Sequence, residues 1–294
     1  MKNAAYVVLA LGILCLGGCG RGGEAEVATG EEQGSPPPVV YTVNYPLQYF
    51  AQRIAGDAVK VVFPAPADGD PAFWEPEADE VMMFQLADLI LLNGADYAKW
   101  ASRVSLPGAK IVNTCSGQDE AFIATGEDIT HIHGPEGEHA HGGVAFTTWL
   151  DGELARAQAA AIRDALVKRW PDHEETFVAG FQGLAQDLQA LDQALHEAVP
   201  EDTSIRVVFS HPVYQYLARR YGVEGDSVHF EPGEEPSPEM WSALEAMLEK
   251  NPATLMIWEG EPLPTVVDRL ASLGLESVVF DPAGNVPDEG CLLY

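Results

Sequence analysis

Short runs of β-branched and aliphatic residues alternate with amphipathic stretches along most of this 294-residue chain, and the rhythm occurs twice. That alternation narrows the fold sharply. Parallel strands cannot be joined by a tight turn, so strand-like runs separated by helix-like stretches read as βα units on a mostly parallel sheet. In the first half, strands are expected at residues 39–44, 59–63, 89–93 and 110–114, with helices at 47–55, 78–86 and 98–104. In the second half, strands are expected at 205–210, 227–231, 254–258 and 277–280, with helices at 213–221, 238–250 and 265–273. Between the halves, Asp151 can cap a helix over 152–170 and Pro171 breaks it. A second helix over 172–198 carries Leu184, Leu188, Leu191 and Leu195 at helical spacing, the stripe of a packed face. The expected fold is α/β: two (β/α) lobes with mostly parallel sheets, at 39–146 and 201–294, joined through connecting helices at 147–200.

The N-terminus reads as an export signal. Lys2 precedes an apolar run from Ala4 to Leu16, followed by Gly17, Gly18 and Cys19. A basic start, a short apolar core and small residues before the cut site make a secretory leader, here 1–18. A cysteine directly after Leu-Gly-Gly resembles the bacterial lipobox, which makes Cys19 the lipidated first residue of the mature chain. Residues 19–38, with several glutamates and prolines, read as a flexible tether. The expected location is the cell envelope, with the chain anchored to a bacterial membrane by its lipid and facing the periplasm or exterior.

The formal net charge is −29, and losing Lys2 with the leader takes it to −30. A surface this acidic repels nucleic acid, while attracting cations without selectivity. Of four cysteines, Cys115 and Cys291 remain once Cys15 is removed and Cys19 is lipidated. An oxidising compartment permits a bridge between them, and equally they can remain free thiols.

Four of the eight histidines, His131, His133, His139 and His141, fall in one eleven-residue segment among glycines, with Glu136 and Glu138 beside them. Neutral imidazole is a good Zn²⁺ ligand, and His-x-His in an extended backbone presents two nitrogens on one side. A solvated loop that is histidine-rich by chance is the alternative. The sequence contains no dinucleotide or P-loop glycine fingerprint, no Gly-x-Ser-x-Gly elbow and no His-Glu-x-x-His helix, so a binding protein is expected rather than an enzyme.

Several stretches carry a resemblance. They are Tyr45-Pro46-Leu47-Gln48-Tyr49-Phe50-Ala51, Asp70-Pro71-Ala72-Phe73-Trp74-Glu75-Pro76, Ala87 to Gly94, the histidine-rich loop, Thr148-Trp149-Leu150-Asp151, Ser210-His211, and Phe280-Asp281-Pro282. In this order and spacing the chain resembles the metal-binding solute-binding lipoproteins of zinc and manganese ABC importers. The resemblance implies two lobes joined by one long rigid helix, with a divalent metal held between them. It also implies that His211 and Asp281 are ligands from the second lobe. The two imidazoles usual in the first lobe are absent, since Ala72 and Thr147 stand in their places.

Three outcomes follow from that gap. Glu75 and Glu259 are possible additional cleft ligands, Glu259 because it ends a strand where sites in open α/β sheets gather. The loop histidines can fold over the cleft, His141 being only a few residues from Thr147. Or the cleft has lost metal and binds something else, or nothing. The resemblance also implies a final helix after Asp281, which a chain ending at Tyr294 apparently lacks. The function expected is capture of a divalent metal, zinc ahead of manganese, by a monomeric substrate-binding component that serves a membrane ABC permease. The alternative is a degenerate binding-protein fold acting as a surface adhesion or metal-buffering lipoprotein.

Overall fold

The structure, a computed structural model, describes residues 36–67, 69–132, 138–199 and 206–286, and for 126–132 and 138–142 the backbone alone. The leader, Cys19, most of the tether, His133 and Cys291 lie outside the described residues.

The first lobe is built on a four-stranded sheet of β1 (Val39–Thr42), β2 (Lys60–Val62), β3 (Leu89–Leu92) and β4 (Ile111–Asn113), all parallel, in the order β2-β1-β3-β4. Helix α1 (Tyr45–Ala55) starts where the Asn44 side chain accepts from Leu47 N, and Pro46 fits its first turn because a proline there forfeits no helical hydrogen bond. Helix α2 (Ala78–Leu86) begins with a capping box in which Glu77 and Glu80 bond each other's backbone. The helix expected over 98–104 is instead a short 3₁₀ turn, Lys99–Ser102. It is too brief for an α-helical ladder, and Ala98 enters it with φ +52.

The histidine-rich segment forms an antiparallel ribbon, β5 (Ala124–Ile132) and β6 (Glu138–Val144). His131 faces His139 and Ile129 faces His141 in its register.

The connector is a pair of helices, α3 (Gly152–Arg169) and α4 (Glu174–Ala198). Asp151 caps α3, its carboxylate accepting from Glu153 N and Leu154 N. At 1.5 Å per residue the 25-residue α4 is about 37 Å long, enough to reach both lobes. Its Phe177, Leu184 and Leu188 join the first-lobe core, whereas Leu195 packs with Val207, Phe209 and Leu217 of the second. Gly180 lets α4 lie directly on α1: a β-carbon there would fall 2.5 Å from Ile54 O.

The second lobe carries β7 (Arg206–Phe209), β8 (Glu224–Ser227), β9 (Leu255–Trp258) and β10 (Glu276–Val279), again all parallel, in the order β10-β9-β7-β8. Helices α5 (Gln215–Tyr221), α6 (Pro238–Lys250) and α7 (Pro264–Ser272) are its crossovers. Strand β8 lies upstream of the expected 227–231. Its sequence, Glu-Gly-Asp-Ser, has no strand preference, but Gly225 allows close approach to Val207, and Arg206 pairs with both Glu224 and Asp226. At the opposite edge Val278 and Val279 are exposed.

Contacts between the lobes are polar and numerous. Trp149 Nε1 donates to Pro282 O (2.6 Å), Tyr45 N to Gly284 O (3.1 Å), Thr147 Oγ1 to Val213 O (2.6 Å) and Tyr216 OH to Ala145 O (2.8 Å).

Candidate metal centre

Four acidic or imidazole side chains follow the C-terminal ends of the four second-lobe strands. His211 comes two residues after β7, Glu231 four after β8, Glu259 directly after β9 and Asp281 two after β10. The strand order β10-β9-β7-β8 therefore sets Asp281, Glu259, His211 and Glu231 in sequence along one mouth of the sheet. Ligand sites in open α/β sheets form at this edge because the connecting loops diverge there. Backbone bonds prolong the ladder past the strands and fix these loops: Ser210 N donates to Ile257 O (2.8 Å) and Phe230 N to Ser210 O (2.9 Å).

His211 is 2% exposed and stands between two carboxylates. Its Nε2 lies 3.3 Å from Glu231 Oε1, and its Nδ1 lies 3.0 Å from Glu259 Oε1. Burial alone lowers an imidazole pKa, but the two carboxylates outweigh it, and the pKa is pushed up to about 10. Without metal, the two flanking carboxylates favour the protonated form of His211. One ligand atom from each of the three residues lies within 4.8 Å of the others. Tetrahedral ligands at roughly 2.1 Å from Zn²⁺ are themselves about 3.4 Å apart, so small shifts admit an ion. An imidazole offers one nitrogen to one ion. One glutamate would thus join the ion, while the other holds the second nitrogen, the usual way a metal-bound histidine is oriented.

Of the residues expected from sequence, His211 and Glu259 are brought together here. Glu231 was missed, because it was read as the end of a strand rather than as part of the loop beyond. Its position after a strand, like that of Glu259, was the available signal. Asp281 is not in the three-residue group. It is exposed, and its Oδ1 accepts from Ala283 N (2.7 Å). It is still near enough to act with Glu259 in raising the pKa of Tyr214, chiefly a burial effect, and Tyr214 OH donates to Phe280 O (2.7 Å). Glu75 is exposed and paired with Arg103 on the first lobe, outside the group. His229 packs edge-on against His211, with ring centroids 5.5 Å apart.

The corresponding mouth of the first lobe has different chemistry. Asn44, Asn93, Thr114 and Thr148 are buried around Gln158 of α3. Gln158 Nε2 donates to Asn93 Oδ1 and Thr114 Oγ1 (both 3.0 Å), and Asn44 Nδ2 donates to Asn93 Oδ1 (3.2 Å). These neutral groups bond one another and include no imidazole, thiolate or carboxylate. Cys115 beside them is a buried free thiol donating to Thr148 Oγ1 (3.6 Å), with its pKa pushed by burial up to about 11. Such a thiol is inert at neutral pH.

Ala72 and Thr147 line a cavity of about 270 Å³ between the lobes, with Pro212 and Val213 on the second-lobe side and Thr125 and Val144 from the ribbon's base. The histidine ribbon thus rises from the wall of this cavity. At about 3.3 Å per strand residue, His141 is roughly 10 Å along the chain from Val144, and His131 about 20 Å from Thr125.

The chain was compared with known proteins. The family model described as ZnuA, zinc-uptake complex component A, periplasmic, matches residues 40–293. The zinc-binding lipoprotein AdcA of Streptococcus pneumoniae serotype 4 is 27% identical over 256 residues, covering 85% of this chain and 51% of that protein. The chain therefore spans about half the length of that relative. The manganese-binding lipoprotein MntA of Halalkalibacterium halodurans is 26% identical over 223 residues, covering 75% and 68%. Among solved structures, the Zn(II)-bound ZnuA-like domain of Streptococcus pneumoniae AdcA superposes with a TM-score of 0.72 at 23% identity, covering 86% of this chain and 90% of that one. At that identity the likeness is one of fold.

Proposed function

The chain belongs to the zinc-uptake complex component A periplasmic family, and we propose that it is the substrate-binding component of an ABC importer, capturing a divalent metal in the cell envelope. Three ligand atoms of His211, Glu231 and Glu259 within 4.8 Å of one another at the mouth of the second-lobe sheet carry this reading. The names of the relatives, a zinc-binding and a manganese-binding lipoprotein, agree with it. The chain binds and hands over its ion rather than transforming a substrate, and its partner is a membrane permease. It acts as a monomer, tethered through a lipid on Cys19 after removal of residues 1–18.

Zinc is the metal expected when His131, His133, His139 and His141 of the histidine-rich segment add nitrogens to the His211 centre, with Asp281 available as a further carboxylate. A second reading, manganese, is favoured by one specific observation: the group offers two carboxylates beside one imidazole, and if both turn to the ion the site is oxygen-rich, which suits Mn²⁺. Isothermal titration of the soluble mature chain with Zn²⁺ and with Mn²⁺, before and after deletion of residues 131–141, tests both. Tight 1:1 Zn²⁺ binding that weakens on deletion supports zinc with ribbon ligands. Mn²⁺ binding indifferent to the deletion supports the second-lobe centre alone. Only weak, multi-site, salt-sensitive binding of either metal contradicts the proposal.

A further inference from the structure

The cavity between the lobes has the shape and chemistry of an organic-ligand site. Its volume of about 270 Å³ is far larger than a bare ion needs, and lies just below the roughly 300–1,000 Å³ typical of small-molecule sites. Phe73, Phe146, Val144 and Val213 make its wall apolar. Phe146 packs edge-on against Phe73 (6.2 Å between centroids) and Tyr97 (5.3 Å), which makes that wall aromatic.

Two opposite charges, Asp96 and Lys99, also line it. Both are exposed, and among the described residues neither makes an ion pair. They sit on one strained turn, in which Ala95, Asp96 and Ala98 have φ of +50, +59 and +52. L-residues rarely adopt this region, and such strain collects where a backbone is held for a purpose. In addition, Thr125 Oγ1 and Gln215 Oε1, both of residues in the cavity wall, are buried without a hydrogen-bond partner within the described protein.

We propose that this cavity binds a small zwitterionic amino-carboxylate with an apolar body, its ammonium facing Asp96, its carboxylate facing Lys99 and its side chain against Phe73 and Phe146. This ligand site adjoins the His211 centre through Pro212 but uses none of its three grouped side chains. Occupancy would wedge the two lobes at the base of the histidine ribbon.

The test is isothermal titration of the soluble mature chain with L-phenylalanine, with hydrocinnamate, which lacks the ammonium, and with phenethylamine, which lacks the carboxylate. Binding of L-phenylalanine at least tenfold tighter than either analogue is expected. Lys99→Met should weaken L-phenylalanine at least tenfold and leave phenethylamine unchanged. Asp96→Asn, chosen because asparagine tolerates positive φ, should do the converse with hydrocinnamate as the unchanged probe. Ala72→Leu should reduce binding by filling the cavity, and the two exposed-charge variants keep the test decisive if that variant misfolds. Absence of L-phenylalanine binding at millimolar concentration overturns the proposal, as does binding indifferent to Asp96 and Lys99. A parallel Zn²⁺ titration of Lys99→Met and Asp96→Asn reports the metal reading independently and should be unchanged.

Discussion

His211 Nδ1 lies 3.0 Å from Glu259 Oε1, joining the ends of two adjacent parallel strands of the second lobe. On the other side of the same ring, Glu231 Oε1 approaches Nε2 at 3.3 Å. The buried imidazole thus stands between two carboxylates, and a divalent ion binding here would compete with a proton. The first lobe contributes neutral amides and hydroxyls at the equivalent edge. The metal chemistry of the described residues is accordingly concentrated in the second lobe.

Substitution should separate the two glutamates. The carboxylate that touches the ion should cost at least 100-fold in Zn²⁺ affinity when changed to glutamine, and the one that orients His211 about 10–100-fold. Titration of Glu231→Gln, Glu259→Gln and His211→Ala measures this. Equal, near-zero effects would place the ion elsewhere.

The metal-free chain should lose stability as pH rises above neutral. The folded-state pKa of His211 is raised to about 10 from an unfolded value of 6.5, so its contribution is complete below pH 6.5 and is lost as pH climbs toward 10. One proton's linkage gives up to about a tenfold fall in the folding constant per pH unit across that window. Urea unfolding at pH 7, 8 and 9 should show this trend in wild type and a flatter one in His211→Asn.

Gln158→Leu should destabilise without touching the metal centre. It removes one donor each from the buried Asn93 Oδ1 and Thr114 Oγ1 and takes the acceptor from the buried Thr148 hydroxyl, and losing such buried hydrogen bonds costs about 1–3 kcal/mol. Denaturant midpoints measure the loss, and metal affinity should stay within twofold.

Gly180→Ala should be more costly than its helix propensity implies. Alanine favours a helix by up to about 1 kcal/mol over glycine, yet its β-carbon would meet Ile54 O at 2.5 Å and force α4 off α1. Net destabilisation of about 1–3 kcal/mol is expected from overpacking, read by thermal or urea unfolding.

Much of this was legible in the chain where local signals and tertiary contacts agree. Helices α2 and α6 occupy the expected residues because Glu77 with Glu80, and Ser237 with Pro238, mark their starts chemically. Strand β8 was misplaced because Glu-Gly-Asp-Ser becomes a strand only through its neighbour β7, a contact that local propensity does not contain. The same error hid Glu231: counted as the last residue of a strand, it is not sought in the loop beyond the sheet's mouth. The 98–104 stretch had helical composition, but the positive-φ turn leading into it left room for a 3₁₀ turn alone. His211, expected from the resemblance, and Glu259, expected from its place at a strand end, both lie just beyond apolar strands whose positions the sequence marks.

Diffraction from crystals of the mature chain grown with Zn²⁺, recorded above and below the zinc absorption edge, tests the central claim most directly. The expected result is an anomalous peak within about 2.3 Å of a His211 nitrogen and of a carboxylate oxygen from Glu231 or Glu259. A peak bound only by ribbon histidines, with His211 still clamped between its two glutamates, would contradict it.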